Sequence, residues 1–349
     1  MRALKWSPLL LLLLASGMAS AQGYRLTDLG TLGGASSAAT AINDRGQVVG
    51  YSATGGSGSH ATLWGGGAAT DLGTLGGADS RAYGINNAGQ IVGVADGAGA
   101  VLWSGAGAHA LAGGAGGVAY AINNAGQVAG ASLFGAATHA TVWQGGVRAD
   151  LGTTGGAFST AYGINDRGQV GGISNISLED DKYNRTGVLW DGHGGSAVYS
   201  LHAAYGINDS GALTGLQSGL YAPPALWNAG ATTVLASIDT YGIAYDVNNS
   251  GVAVGFLLGT DNAQHAMLWR GSDMVDLNSL HGGADAGFDY LSVASAINEH
   301  GQIVGTGITH DGTEHAFLLS PVPEPSSWSM LGLGLALTGA LARRRRRAR

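Results

Sequence analysis

Apolar residues flank a short polar turn in the phrase INDRGQVVG (42–50), and that pattern of apolar, polar and apolar positions returns along the chain. Further copies are INNAGQIVG (85–93), INNAGQVAG (122–130), INDRGQVGG (164–172), INDSGALTG (207–215), VNNSGVAVG (247–255) and INEHGQIVG (297–305). Asn43 and Asp44 favour turns because their side chains bond nearby backbone, and Gly46 reaches positive φ without strain. With Ile42 before and Val48 after, the stretch predicts a hairpin closed by a type I turn and a glycine bulge. The Asn recurs at Asn43, Asn86, Asn123, Asn165, Asn208, Asn248 and Asn298. The Gly recurs at Gly46, Gly89, Gly126, Gly168, Gly211, Gly251 and Gly301. These residues read as repeat-building turns. A second glycine in each phrase, such as Gly50, falls within a strand, where glycine marks a bulge or close backbone approach. Tyr83, Tyr120, Tyr162, Tyr205 and Tyr245 precede the Ile or Val by two positions, and are expected to cover such a glycine on the next repeat.

The spacing averages about 42 residues, which suits four short strands per propeller blade and is too long for one coil of a β-helix. Two further segments recur. One ends in HATLW (60–64), AVLW (100–103), HATVW (139–143), GVLW (187–190), PALW (224–227), HAMLW (265–269) and HAFLL (315–319). The other reads TDLG (70–73), HALA (109–112), ADLG (149–152), VYSL (198–201), TVLA (233–236) and VDLN (275–278). Its seventh copy, TDLG at 27–30, stands at the start of the array, and nothing equivalent follows HAFLL. A linear solenoid gives no reason for that offset. A ring does, because an N-terminal strand that completes the last blade removes the open edges. The expected fold is therefore all-β: a seven-bladed β-propeller closed by the segment around residues 24–30. The competing architectures are a β-solenoid and a two-domain β protein.

Composition agrees. Of 349 residues 63 are Gly, 45% are hydrophobic and 11% charged, enough apolar matter to bury a core and unlike a disordered chain. There is no Cys, so no disulfide framework holds the fold.

The two ends carry addresses. Arg2 and Lys5, the run PLLLLLLA, and Ala19-Ser20-Ala21 predict a signal peptide over 1–21, cut between Ala21 and Gln22. A first transmembrane helix is the alternative, disfavoured by the short apolar run. At the other end VPEP (322–325) precedes an apolar run, 328–342, and then RRRRRAR. Fifteen helical residues span about 22 Å, short of a hydrocarbon core of about 30 Å, so the anchor is marginal. The arginines keep the end in the cytoplasm and leave the rest outside. Arg2, Lys5 and the six terminal arginines are half of the 16 basic residues, so the body between is acidic. An acidic, arginine-poor body argues against nucleic acid and against anionic membrane surfaces, leaving the tail as the membrane contact.

Order, spacing and chemistry of this tail resemble the PEP-CTERM sorting signal of Gram-negative bacteria. The resemblance implies that an exosortase recognises Pro323, Glu324 and Pro325, removes the tail, and delivers the protein to the cell surface or exopolysaccharide matrix. An ordinary C-terminal anchor is the alternative. HATLW, HAMLW and HAFLL joined to phrases such as AINDRGQVVG resemble HAF-repeat extracellular proteins over residues 24–320. The second, fourth and fifth copies lack the His-Ala pair. This likeness implies a compartment and a repeat, and no chemistry. The expected organisation is a signal peptide at 1–21, a propeller at 22–320 and a sorting tail at 321–349.

Candidate chemistry is sparse. His60, His139, His265 and His315 share one repeat position, which reads either as a ring of metal ligands or as a half-buried His bonded within its own blade. Equivalent positions on different blades lie far apart unless they face the axis, which favours the second reading. Trp64, Trp103, Trp143, Trp190, Trp227 and Trp269 read as packing residues rather than a sugar-stacking platform. Breaks in the repeat are better places for a ligand. The loop SNISLEDDKYNRT (174–186) holds Glu179, Asp180 and Asp181, donors suited to Ca²⁺, although the D-x-D-x-D-G spacing is absent. The longest interval carries His281, Asp285 and Asp289. No HExxH, GxSxG, GxxxxGK[ST] or thiol signature is present. The expected function is a non-catalytic structural, adhesive or interaction component of the surface or matrix, with no required cofactor. The alternatives are a lectin-like module binding exopolysaccharide and, third, a polysaccharide-active hydrolase or lyase.

Overall fold

The computed structural model describes residues 23–177, 184–192, 194–219, 222–235, 241–280 and 286–322. Residues Tyr24–Pro321 form one compact unit; the second unit, Met1–Gly23 with Val322–Arg349, falls almost wholly outside the described residues. Glu179, Asp180, Asp181, His281, Asp285, the Ala21–Gln22 junction, Pro323, Glu324, Pro325 and the apolar tail also lie outside them.

Seven four-stranded antiparallel sheets follow one another in the chain, and six of them are built from consecutive strands. These are blades 1 to 6, at 33–71, 80–110, 118–150, 159–198, 201–234 and 242–276. Blade 7 takes Phe288–Ile297, Ile303–Thr309 and Glu314–Pro321 from the end of the array and Tyr24–Asp28 from its start. Tyr24 pairs with Pro321 and Asp28 with Phe317, so the N-terminal strand supplies the missing outer strand and closes the ring. The closed ring is a seven-bladed β-propeller, as the offset of TDLG predicts.

Each phrase builds the hairpin between the two inner strands of its blade. The Asn carbonyl accepts the N–H of the Gly three residues on, as Asn43 does from Gly46 at 3.0 Å. The seven glycines take φ between +73° and +86°. The second glycine answers a β-bulge on the inner strand, whose register shifts between Ala39 and Ala41 and at the matching point of every blade. There a Cβ on Gly50, Gly93, Gly130, Gly172, Gly215, Gly255 or Gly305 would lie 1.9 to 2.1 Å from a carbonyl oxygen of its own blade. The five tyrosines occupy the bulged position. They contact one another around the axis in tilted and edge-on pairs instead of covering the second glycine of the next blade, because the bulge turns them inward.

The core is a ring of inter-blade layers. Trp103 packs with Val49 and Ala61 of blade 1, and Trp190 with Ala129 and Ala140 of blade 3. The alanine of the His-Ala pair is fully buried in this layer, as at Ala61, Ala140, Ala266 and Ala316. A larger side chain there would separate the blades. Trp64, Trp103, Trp143, Trp190 and Trp269 are buried, and Trp227 is half-buried. The outer segment of blade 4 is displaced from the sequence expectation. Its strand is Gly195–Val198, and Leu201 already begins blade 5, because only Tyr199 and Ser200 link the two.

Candidate functional site: the axial channel and its two rims

Turn geometry places the seven Asn side chains in a closed ring. Each Nδ2 donates to the carbonyl of the equivalent Asn in the next blade at 2.9 to 3.3 Å, from Asn43 to Asn86 and finally from Asn298 back to Asn43. These Asn residues are buried. One position further out, a second ring forms. Each main-chain N–H donates to the side-chain oxygen of the following blade at 2.8 to 3.0 Å, through Asp44, Asn87, Asn124, Asp166, Asp209, Asn249 and Glu299. The four carboxylates of this rim therefore accept backbone hydrogen bonds across blade junctions. A satisfied buried hydrogen bond contributes about 1 kcal/mol net, and an orphaned partner costs about 1–3 kcal/mol, so removing one member is felt on both neighbours.

This amide and carboxylate rim encloses a cavity of ≈ 190 Å³. A second cavity of ≈ 200 Å³ opens at the other end, bordered by Tyr83, Tyr120, Tyr162, Tyr205 and Tyr245. Successive ring centroids are 5.2 to 5.6 Å apart, an arc of five aromatic rings interrupted where Thr40 and Ser295 hold the same position. Burial pushes the phenols of Tyr120, Tyr162 and Tyr205 up to about 12, with neighbouring tyrosines adding to the effect. Asp246 borders both cavities. Its carboxylate accepts the N–H of Val247 and of Ile297, each at 2.9 Å. Desolvation raises its pKa above the usual carboxylate range, and Glu299 adds to this, against the lowering effect of the two backbone bonds. Part of its surface opens onto the channel, yet protein surrounds it.

The repeated histidines sit away from the axis, half-buried on the third strand. His60, His139 and His315 bond through Nδ1 to Asp71, Asp150 and Asp28 at 2.8 to 2.9 Å, and His265 to Asp276 at 3.3 Å. Each Asp also accepts a backbone N–H two residues on, as Asp71 does from Gly73. Blades 2, 4 and 5 lack the His and carry Ala110, Ala197 and Val234 where the Asp would stand. The pair is thus gained or lost as a unit. A third partner follows three of these turns. Ser80 donates to Gly73 and accepts from Ala61 of the preceding blade; Ser159 and Ser37 do the same. The signal was present as DLGTLGGADS (71–80), DLGTTGGAFS (150–159) and DLGTLGGASS (28–37).

Among the described residues no group of three or more His, Cys, Asp or Glu is arranged to hold a metal ion. Asp289 accepts from His310 Nδ1 at 2.7 Å, with both side chains more than half exposed. The other acidic-loop candidates lie outside the described residues. No described helix is long and apolar enough to cross a membrane.

The family model of the PEP-CTERM protein-sorting motif matches residues 321–347. That match includes Pro323, Glu324 and Pro325 and implies export, membrane anchoring before processing, and processing by an exosortase. No curated protein matches the chain. Among solved structures, a puromycin-hydrolyzing peptidase of Mycobacterium tuberculosis is similar at 12% identity with a TM-score of 0.55, over 88% of this chain and 55% of that one. The chain thus spans about half the length of that peptidase. The β-propeller domain of the Trilobed protease from Pyrococcus furiosus is similar at 10% identity with a TM-score of 0.48, over 71% of this chain and 82% of that one. At such identities the likeness concerns the fold and carries no activity across.

Proposed function

We propose that the protein is an exported, non-catalytic propeller serving as a structural, adhesive or interaction component of the bacterial cell surface or its exopolysaccharide matrix. The observation that carries this reading is the sorting motif at 321–347, which begins at Pro321, the last residue of the closing blade. The repeated polar residues support it. Asn rim, Asp and Asn rim, and His–Asp pairs bond to one another across and within blades, which is structural work. The test is fractionation of cells expressing the full chain and a Glu324→Ala variant. The wild type is expected at the surface or in shed matrix, and the variant in the inner membrane with its tail attached. Identical distribution would overturn the sorting role, and turnover of an exopolysaccharide by the purified chain would overturn the non-catalytic one.

The tyrosine arc favours a second reading, a lectin-like module. Five aromatic faces at one channel mouth offer stacking area to a sugar. A glycan array that shows binding lost on Tyr162→Ala supports it, and a blank array contradicts it.

A further inference from the structure

Five blades use a glutamine four residues after the ring Asn. Gln47, Gln90, Gln127, Gln169 and Gln302 each accept the second Nδ2 hydrogen of their own Asn at 2.8 to 2.9 Å. The same carboxamide lies against the turn glycine of the next blade, as Gln169 does at 3.1 Å from the Cβ position of Gly211. Blades 5 and 6 depart from this, with Ala212 and Val252 in its place. After blade 6 the gap is filled, since Pro321 and the Tyr24 hydroxyl lie 3.6 and 4.0 Å from the Cβ position of Gly301. After blade 5 it is not. Among the described residues nothing lies within 4 Å of the Cβ position of Gly251, and a cavity of ≈ 330 Å³ opens there, lined by Ala212 and Gly251 among others.

Asn208 borders this cavity and is 6% exposed. Its Nδ2 donates one hydrogen to the Asn248 carbonyl at 3.1 Å, and the other, which in five blades goes to glutamine, has no partner among the described residues. The glutamine that accepts this hydrogen in five blades is replaced here by Ala212. Leu226 and Leu235 form an apolar wall, and Thr233, Ser250 and Asn228 a neutral polar border, with no charged residue among the described residues that line it. A buried donor without an acceptor is costly, so an incoming carbonyl oxygen is rewarded there. The volume exceeds what one glutamine side chain fills.

We infer that the junction of blades 5 and 6 is a binding site for an acetamido sugar, a neutral N-acetylated amino sugar whose amide carbonyl takes the place of the missing glutamine. Its methyl group meets Leu226 and Leu235, and its hydroxyls meet the Ser, Thr and Asn border. A peptide carboxamide offers the carbonyl but no hydroxyls for that border, and an unacetylated sugar offers no carbonyl. The site lies off the axis and is independent of the surface role proposed above.

The experiment is an NMR titration of the full chain, observing the Asn208 side-chain amide, with N-acetylglucosamine, glucose and N-acetylglutamine methylamide as probes. N-acetylglucosamine is expected to shift that amide and to bind at least about tenfold more tightly than glucose, one buried hydrogen bond being worth that factor. Ala212→Gln, which restores the residue of the other blades, and Ala212→Met, which fills the space without an amide, are expected to abolish binding while the chain remains folded by its melting curve. Equal affinity for glucose, equal affinity for the glutamine amide, no shift at tens of millimolar (the weak end for so small a ligand), or binding retained in both variants would each overturn the inference.

Discussion

The junctions on either side of blade 5 are built from the same phrase and end differently. Between blades 4 and 5, Gln169 bonds Asn165 at 2.9 Å and lies under Gly211. Between blades 5 and 6, Ala212 leaves Asn208 one bond short and Gly251 open. The junction after blade 6 lacks the glutamine as well, and Asn248 also keeps a single Nδ2 bond among the described residues, but there Tyr24 of the closing strand and Pro321 of the last strand fill the space. One residue type decides whether a junction is sealed, and the repeat tolerates its loss where another segment fills the space. Packing interiors leave few voids of this size without consequence.

The largest expected effect falls on every junction at once. Deleting residues 24–28 removes the outer strand of blade 7 and its pairing with Glu314–Pro321, and opens the ring. The melting temperature is expected to fall by more than 10 °C in calorimetry; an unchanged value would contradict closure. Next, Gly172→Ala in blade 4 and Gly215→Ala in blade 5 place a Cβ 2.0 and 1.9 Å from a carbonyl oxygen. Both are expected to cost 4 kcal/mol or so in chemical denaturation, because the bulge is common to both sides of the comparison. A mild effect in blade 5 alone would show that its inner strands are looser than their register indicates.

The ring Asn residues then separate the two junctions. Asn165→Ala is expected to cost about 3 kcal/mol, since it orphans Gln169 as well as the Asn208 carbonyl, and Asn208→Ala about 1 kcal/mol less. Equal losses would mean that the missing glutamine carries no energy. Exchanging the residues sharpens this. Gln169→Ala is expected to lower stability by about 1 kcal/mol, and Ala212→Gln to raise it by a similar amount. The smallest effect belongs to the far mouth. The folded phenols of Tyr120, Tyr162 and Tyr205 lie at about 12, above the ordinary 10.0, so the stability they carry is complete below pH 10 and is lost as pH rises toward 12. Ultraviolet titration is expected to show phenolate appearing late, in step with unfolding; early titration of all tyrosines would contradict the half-buried arc.

The ring was legible in the sequence because its evidence is periodic. Seven phrases in phase and one displaced TDLG determine blade number and closure, and turn chemistry accounts for Asn43 and Gly46 without reference to the rest of the molecule. The site was not legible. Loss of Gln at 212 looks like ordinary variation until Gly251 of the next blade is seen to lack its neighbour. The same holds for His60 and Asp71, eleven residues apart, whose pairing needs the register of the third and outer strands. The acidic residues at 179–181 and 281–289 stand out as breaks in the repeat, whereas the unmet hydrogen bond lies in a phrase that reads as regular. Contacts between repeats are invisible to an inspection of each repeat by itself.

Side-chain amide hydrogen exchange, read by NMR on the full chain labelled with nitrogen-15, tests the difference between the two junctions most directly. Asn43, Asn86, Asn123, Asn165 and Asn298 are expected to protect both Nδ2 hydrogens, one held by the next blade and one by glutamine. Asn208 is expected to protect one and exchange the other at least tenfold faster, and Ala212→Gln to slow that second hydrogen to the rate of the others. Two equally protected hydrogens on Asn208 in the wild type would show that the junction is already sealed, and the unmet donor would be gone.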